Sequence, residues 1–190
     1  ICRNLAPSLD YLNVIAGTSA SSGGSVHIVP PMTVSNGYMA PFSAKLKQAV
    51  GPTAVLVAGR INQPQDAEKI VREGAADMCG MTRAMICDPR MPAKASLGQV
   101  DDIRACIGCN QACIGHAQLG LPISCIQYPE SGRELRFAEK PRAEVSRRVL
   151  VVGGGPAGMK AAITAAETGN SVTLWERSSR LGGQALLAQE

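Results

Sequence analysis

Four cysteines, Cys106, Cys109, Cys113 and Cys125, form a C-x2-C-x3-C-x11-C run, and they restrict this chain more than any other feature. Three are crowded into one short stretch and the fourth stands apart across a loop. Thiolates spaced in this way can wrap one compact metal centre. A [4Fe–4S] cluster takes four Cys ligands, typically several of them from one tight turn. Zinc also accepts four thiolates, usually as two separated C-x2-C pairs. The crowding favours a cluster over zinc, although ligand softness alone does not separate the two. No secretory or targeting segment is visible, so a disulfide framework is not expected and a cytoplasmic location is.

At 190 residues the chain has room for one large or two small domains. Its hydrophobic content of 45% and charged content of 18% are ordinary for a globular protein. A net charge of +4 and an aromatic content of 3% argue against a nucleic-acid partner. No apolar stretch reaches the roughly 18 residues that span a bilayer, so no membrane partner is expected. Ile1 is not an initiator Met, and the chain reads as an internal fragment.

Along the first hundred residues, short apolar runs alternate with helical ones. Strands are expected at Tyr11–Ala16, Thr53–Ala58 and Ala76–Gly80, and helices at Phe42–Val50 and Pro64–Glu73. In the second helix Pro64 suits the first turn, and Ala67, Ile70, Val71 and Gly74 share a face. Gly17 to about Ala40 reads as a long loop, and helical segments resume near Met91. This alternation predicts an α/β fold with a parallel sheet buried on both faces. Residues 129–147 are polar and read as a linking segment.

At Arg148 the βα rhythm restarts. A strand at Arg148–Val152, apolar enough to be expected buried, runs into Gly153-Gly-Gly155-Pro156-Ala157-Gly158, then a helix carrying Met159, Ala162, Ile163 and Ala166 on one face, then a strand at Ser171–Trp175. A lone G-x-G-x-x-G is weak, but this one has the strand–turn–helix context that a dinucleotide needs. Gly153 allows the tight turn, Gly155 lets backbone approach a pyrophosphate, and Gly158 lets helix and strand pack closely. The helix N-terminus then faces the phosphates. Glu176 ends the second strand, where a carboxylate can accept a hydrogen bond from a ribose hydroxyl. Gly183 and Gln184, in a further Gly-rich loop, can approach the same ligand.

These pieces, in this order, resemble the iron–sulfur flavoenzymes of the 2,4-dienoyl-CoA reductase and trimethylamine dehydrogenase group. The resemblance rests on Ala105-Cys-Ile-Gly-Cys-Asn-Gln-Ala-Cys113, the Gly59-Arg-Ile-Asn62 and Gly80-Met-Thr-Arg83 turns, and Val151-Val-Gly-Gly-Gly-Pro-Ala-Gly158. It implies the C-terminal part of an FMN-binding TIM (β/α)8 barrel over residues 1–100, a cluster segment and linker over 101–147, and the start of a Rossmann-like FAD/NAD(P)-binding domain over 148–190. A barrel cut in this way leaves apolar edges and faces uncovered, so the fragment alone is not expected to fold stably. Gly59, Arg60, Thr82 and Arg83 fall where the family contacts FMN, after the last two barrel strands, and a guanidinium suits a phosphate. The implied cofactors are FMN, FAD, a [4Fe–4S] cluster and NAD(P)H. Electrons would pass from FAD through the cluster to FMN, which reduces an activated C=C bond in an enoyl thioester or enone.

The family's catalytic Trp-His-Glu segment is replaced here by Gly17-Thr-Ser-Ala-Ser-Ser-Gly-Gly-Ser25. His27 follows on the same loop and is the one candidate for proton donation or substrate orientation. The altered loop leaves open an amine dehydrogenase or N-demethylase in which FMN oxidises an N-methyl substrate. A non-catalytic electron-transfer or zinc-stabilised module is the reading from another class. Cys79 and Cys87 read as packing thiols. Met81, Met85 and Met91 read as core or gap fillers, and His116 as a cluster neighbour or a solvated loop residue.

Overall fold

The computed structural model describes residues 1–137 and 142–189; part of the expected linking segment, residues 138–141, lies outside them. The chain divides into two units, Ile1–Glu134 and Leu135–Glu190.

In the first unit, β1 (Tyr11–Val14), β2 (Ala54–Ala58) and β3 (Met78–Gly80) form a parallel sheet in the order β1-β2-β3. Leu12 pairs with Val55, and Val57 with Cys79. The crossovers are the Ala40–Val50 and Pro64–Arg72 helices. Both open on Pro in the first turn, where the missing N–H costs nothing. The core sits between these helices and one face of β2. Val55 and Val57 are fully buried; Val57 joins Met39, Ile61, Ile70 and Ala76, while Val55 joins Ala6 and Val50. Burial of each large side chain contributes about 1.5–3 kcal/mol.

The opposite face departs from the expectation of a sheet buried on both sides. Ala54, Leu56 and Ala58 are only half-buried, and Tyr11 is exposed. Helices cover one face, and three strands do not curl far enough to cover the other. Val71 also leaves its expected face and is exposed. It is one residue past Ile70, about 100° around the helix, which carries it off the core stripe. Met91 is buried, whereas Met85 is exposed rather than a core filler.

Several segments read as turn, loop or linker carry helix, Glu134–Phe137 of the expected linking segment among them. Ser22–Ser25 makes one helical turn inside the long loop, with the Ser21 side chain accepting from the Gly24 N–H. The Gly80–Arg83 turn opens directly into a helix at Thr82–Cys87. After the Met91–Ser96 helix the chain is largely irregular through the cysteines, apart from a 3-10 turn at Val100–Asp102, a π-helical turn at Gln111–Gly115 and a short helix at His116–Gln118.

In the second unit β4 (Arg148–Val152) and β5 (Ser171–Trp175) are parallel and joined by the Pro156–Glu167 helix. Alternate residues of both strands are exposed, including Leu150, Val152 and Trp175, so β4 is not the fully buried strand its sequence suggests. A short 3-10 segment, Gly183–Gln189, follows where a Gly-rich loop was expected.

Candidate functional site

The carboxyl ends of β1, β2 and β3 open on one cleft of about 260 Å3. Ile15 and Ala16 enter it after β1, Gly59 and Arg60 after β2, and Met81, Thr82 and Arg83 after β3. Parallel α/β sheets place their ligands at this end. All four residues expected to contact a flavin phosphate therefore line one cavity, and His27 joins them.

Two guanidinium groups dominate its electrostatics. Arg60 is held in the left-handed region, at φ 51°. Its Nη1 donates to the Val34 carbonyl, while its buried Nε–H has no protein partner. An unpartnered buried donor is costly unless an acceptor completes it. Arg83 Nη1 donates to the Pro30 carbonyl at 2.8 Å and to Asn110 Oδ1 at 2.6 Å. Two cations on successive strand ends, one with a donor to spare, fit a bound phosphate.

His27 stands exposed at the rim, with Nδ1 3.3 Å from the Gly23 carbonyl. Its own carbonyl accepts from Tyr38 Oη at 2.8 Å, and the two rings lie 5.8 Å apart. Tyr38 also lines the cleft, and the sequence reading missed it. Burial pushes its phenol up, and Arg83 pulls it part of the way back. A lone Tyr after Gly37 in a long loop carries no periodic signal that would have revealed it.

Arg83 is shared with a second pocket, lined by Cys106, Cys109, Cys113 and Cys125 together with Asn110, Gln127 and apolar side chains such as Ile86 and Ile107. The structure thus brings the four expected thiols to one wall, with no carboxylate among them. That donor set is soft, as a cluster or zinc requires. Among the described residues no three Cys, His, Asp or Glu side chains close on a single-ion position. Burial pushes the Cys106 thiol up, while the Gly108 N–H and Arg83 oppose it. Cys87 lies fully buried behind this pocket. Burial, with the neighbouring Cys125 and Cys106 thiols, pushes its pKa up to about 12. It is a packing thiol, hydrogen-bonded from Gln127 Nε2 at 3.4 Å. Cys79 is likewise pushed up by burial. His116 is absent from the pocket lining and meets the Pro122 carbonyl at 3.0 Å.

A residue that the sequence reading missed anchors the cysteine segment. Asp88, 2% exposed, accepts from Lys94 Nζ at 2.6 Å, the Arg90 N–H at 3.1 Å and the Arg104 N–H at 3.0 Å. Arg104 in turn donates to the Cys87 carbonyl at 2.9 Å and stacks its guanidinium on Tyr128 at 4.7 Å. Desolvation of Asp88 is outweighed by these donors, and its carboxyl stays below the usual range.

In the second unit the glycine turn joins β4 to its helix. A Cβ on Gly158 would collide with the Gly153 carbonyl, so only glycine allows this helix to sit so close to the strand. Glu176 reaches the turn: Oε2 accepts from the Gly154 N–H at 2.7 Å, and Oε1 from the Ser178 N–H at 2.8 Å and from Ser178 Oγ at 3.0 Å. The Ser178 and Gly154 donors hold its pKa down to about 2. Each carboxylate oxygen has two acceptor sites, so capacity for a hydroxyl remains. Gly182 N–H donates to the Gly154 carbonyl at 2.8 Å, and Gly183 packs against Gly155. Pro156 and Ala157 open the helix, and Gln184 lies within the 3-10 segment.

Parallel strands with their loops gathered on one cleft define an α/β chain of the TIM-barrel flavoenzyme class. Residues 15–102 match the NADH:flavin oxidoreductase / NADH oxidase family, and residues 148–188 match the FAD dependent oxidoreductase family. The chain is 43% identical to a metal reductase of Desulforamulus reducens over 83% of its length, and 41% identical to an NADH oxidase of Thermoanaerobacter brockii over 85%. A 2-naphthoyl-CoA reductase structure superposes with a TM-score of 0.83 at 31% identity, covering 95% of this chain and 28% of that one. The chain belongs to the NADH:flavin oxidoreductase family. It spans 23% and 25% of the two curated relatives.

Proposed function

We propose that this chain is part of an NAD(P)H-dependent iron–sulfur flavoprotein that reduces an activated C=C bond. One observation carries the reading: Arg60 and Arg83, on successive strand ends, face one cleft, and Arg83 also borders the pocket of four thiols. In this reading residues 1–100 are the C-terminal part of an FMN-binding barrel, 101–147 hold the cluster, and 148–190 begin a Rossmann-like FAD domain. When bound, the flavins supply hydride chemistry and the [4Fe–4S] cluster supplies single-electron transfer between them.

The residues divide the remaining work. Arg60 and Arg83 bind phosphate, with Gly59 and Thr82 beside them. Cys106, Cys109, Cys113 and Cys125 hold the cluster; all four line one pocket that no carboxylate enters. Gly153, Gly155, Pro156, Ala157 and Gly158 offer backbone to a pyrophosphate, with Gly183 and Gln184 alongside, and Glu176 accepts from a ribose hydroxyl. His27 at the cleft rim donates the proton to the substrate.

The test is an anaerobic preparation of the full-length protein, with iron, sulfide, FMN and FAD counted per chain. About four irons and four sulfides with both flavins support the reading. One zinc and no flavin would return the chain to a zinc-stabilised module. Replacing Arg60 and Arg83 together by Ala should abolish FMN retention, and unchanged FMN content would sink the barrel assignment. Substrates are screened as enoyl thioesters and enones first, then N-methyl amines; oxidation of the latter alone would reverse the assigned direction.

A further inference from the structure

Asn110 immediately follows the second cysteine of the run and lines the cysteine pocket, yet its side-chain amide bonds to Arg83 and to the Val29 backbone, both of which line the anion cleft. Its backbone is left-handed, at φ 58°, a conformation that Asn, Asp and Gly tolerate and most residues do not. Its amide is used at both ends. Oδ1 accepts from Arg83 Nη1 at 2.6 Å, and Nδ2 donates to the Val29 carbonyl at 2.7 Å. A guanidinium can only donate and a carbonyl can only accept, so the two partners fix the orientation of the amide. Arg83 Nη1 also donates to Pro30, the residue after Val29. Asn110, Arg83 and the Val29–Pro30 backbone therefore close one small hydrogen-bonded ring at the back of the cleft.

A second junction lies two residues upstream. Gly108 is at φ 70°, and a Cβ there would stand 3.1 Å from Arg60 Nε and 3.3 Å from the Met32 backbone nitrogen. The Cys106–Asn110 turn thus backs both arginines of the cleft.

We propose that Asn110 is a positioning residue that holds the Arg83 guanidinium ready for the flavin phosphate, making the cysteine turn a structural wall of the FMN site. The proposal rests on the flavin reading above. An arginine free to rotate loses rotamer entropy when it engages a ligand, and a clamp removes part of that cost before binding. The benefit is confined to the phosphate, because Asn110 acts through Arg83 and not on the flavin ring.

The experiment compares FMN with riboflavin, which lacks the phosphate, by fluorescence titration of the deflavinated full-length protein under anaerobic conditions. Iron and sulfide are counted on the same samples. Asn110→Gly keeps the left-handed backbone and removes the clamp. It should weaken FMN by tenfold or more, change riboflavin by less than twofold, and keep the wild-type iron content. In an Arg83→Gln background the same change should have no further effect on FMN. Asn110→Asp, also tolerant of this backbone, sets a carboxylate against Arg83 and should erase the preference for FMN. That variant stands in if Asn110→Gly does not fold.

Equal weakening of both flavins with iron intact would overturn the proposal, as would a full additional loss of FMN in the Arg83→Gln background or a wild-type FMN preference in Asn110→Asp. A wild-type protein that binds neither flavin overturns the flavin reading itself, and the positioning role with it.

Discussion

Asp88 shows how one buried charge can organise a segment that has little regular structure. Its carboxylate collects an ammonium and two backbone N–H groups, and the Arg104 N–H among them leads straight into Cys106. Asp88→Ala should destabilise the first unit by about 2–3 kcal/mol, because it removes the Lys94 ion pair, leaving that ammonium to the Asp102 carbonyl, and strands two part-buried backbone donors. The local readout is hydrogen exchange at the Arg104 amide, which should lose its protection. The pH dependence follows from the direction of the shift. The folded carboxyl is held below its unfolded value of about 3.9, so its stabilisation is complete above that pH and is lost as pH falls through the folded pKa. Asp88→Asn should remove this acid-side dependence, as measured by exchange between pH 5 and 3. Glu176 is shifted in the same direction, downward. With a pKa of about 2 it stays ionised throughout the working range, so FAD affinity should be flat between pH 5 and 8. A titration step in that window, abolished by Glu176→Gln, would contradict the depressed carboxyl.

At the scale of elements, what the sequence showed and what it hid divide by the range of the contacts. β2, β4, β5 and their helices were legible because each is a local pattern: an apolar run, a Pro in the first turn, a Gly stop. So were the cysteine run and the glycine turn, whose residues lie close together in the chain. Tyr38 and Asn110 were not, because their partners lie across longer separations, such as that between Asn110 and Val29, and Asp88 was not, because its link to Arg104 follows no motif. The helix face at Pro64–Arg72 marks the limit of periodicity. Ile70 and Val71 are both apolar, but only Ile70 packs under Val57, with 6% of its surface exposed against 42% for Val71. Ile70→Ala should therefore cost about 2–4 kcal/mol and Val71→Ala less than about 0.5 kcal/mol. Thermal denaturation of the two variants distinguishes them, and equal effects would mean that the helix is rotated on the sheet.

Over the whole molecule, the apolar surface left open is as informative as the core. Leu150 and Val152 on β4 and Trp175 on β5 are 52%, 77% and 62% exposed, on a sheet of two strands. A two-stranded sheet is marginal in water, and a contiguous apolar face normally marks surface that something else covers. The relatives this chain matches are about three and a half times its length, since the 157 and 162 matched residues are 23% and 25% of them. In a doubly wound domain the flanking strands and helices would lie against these residues. Trp175 reports on this directly, because it is the only Trp in the chain. In the 190-residue chain its emission should be red-shifted and readily quenched by iodide. In a full-length protein the signal removed by Trp175→Phe should be blue-shifted and protected. The short chain should also bind an apolar dye that the full-length protein does not. If Trp175 is equally quenched in both, the face is a genuine outer surface, and the Rossmann-like reading of residues 148–190 loses its main physical support.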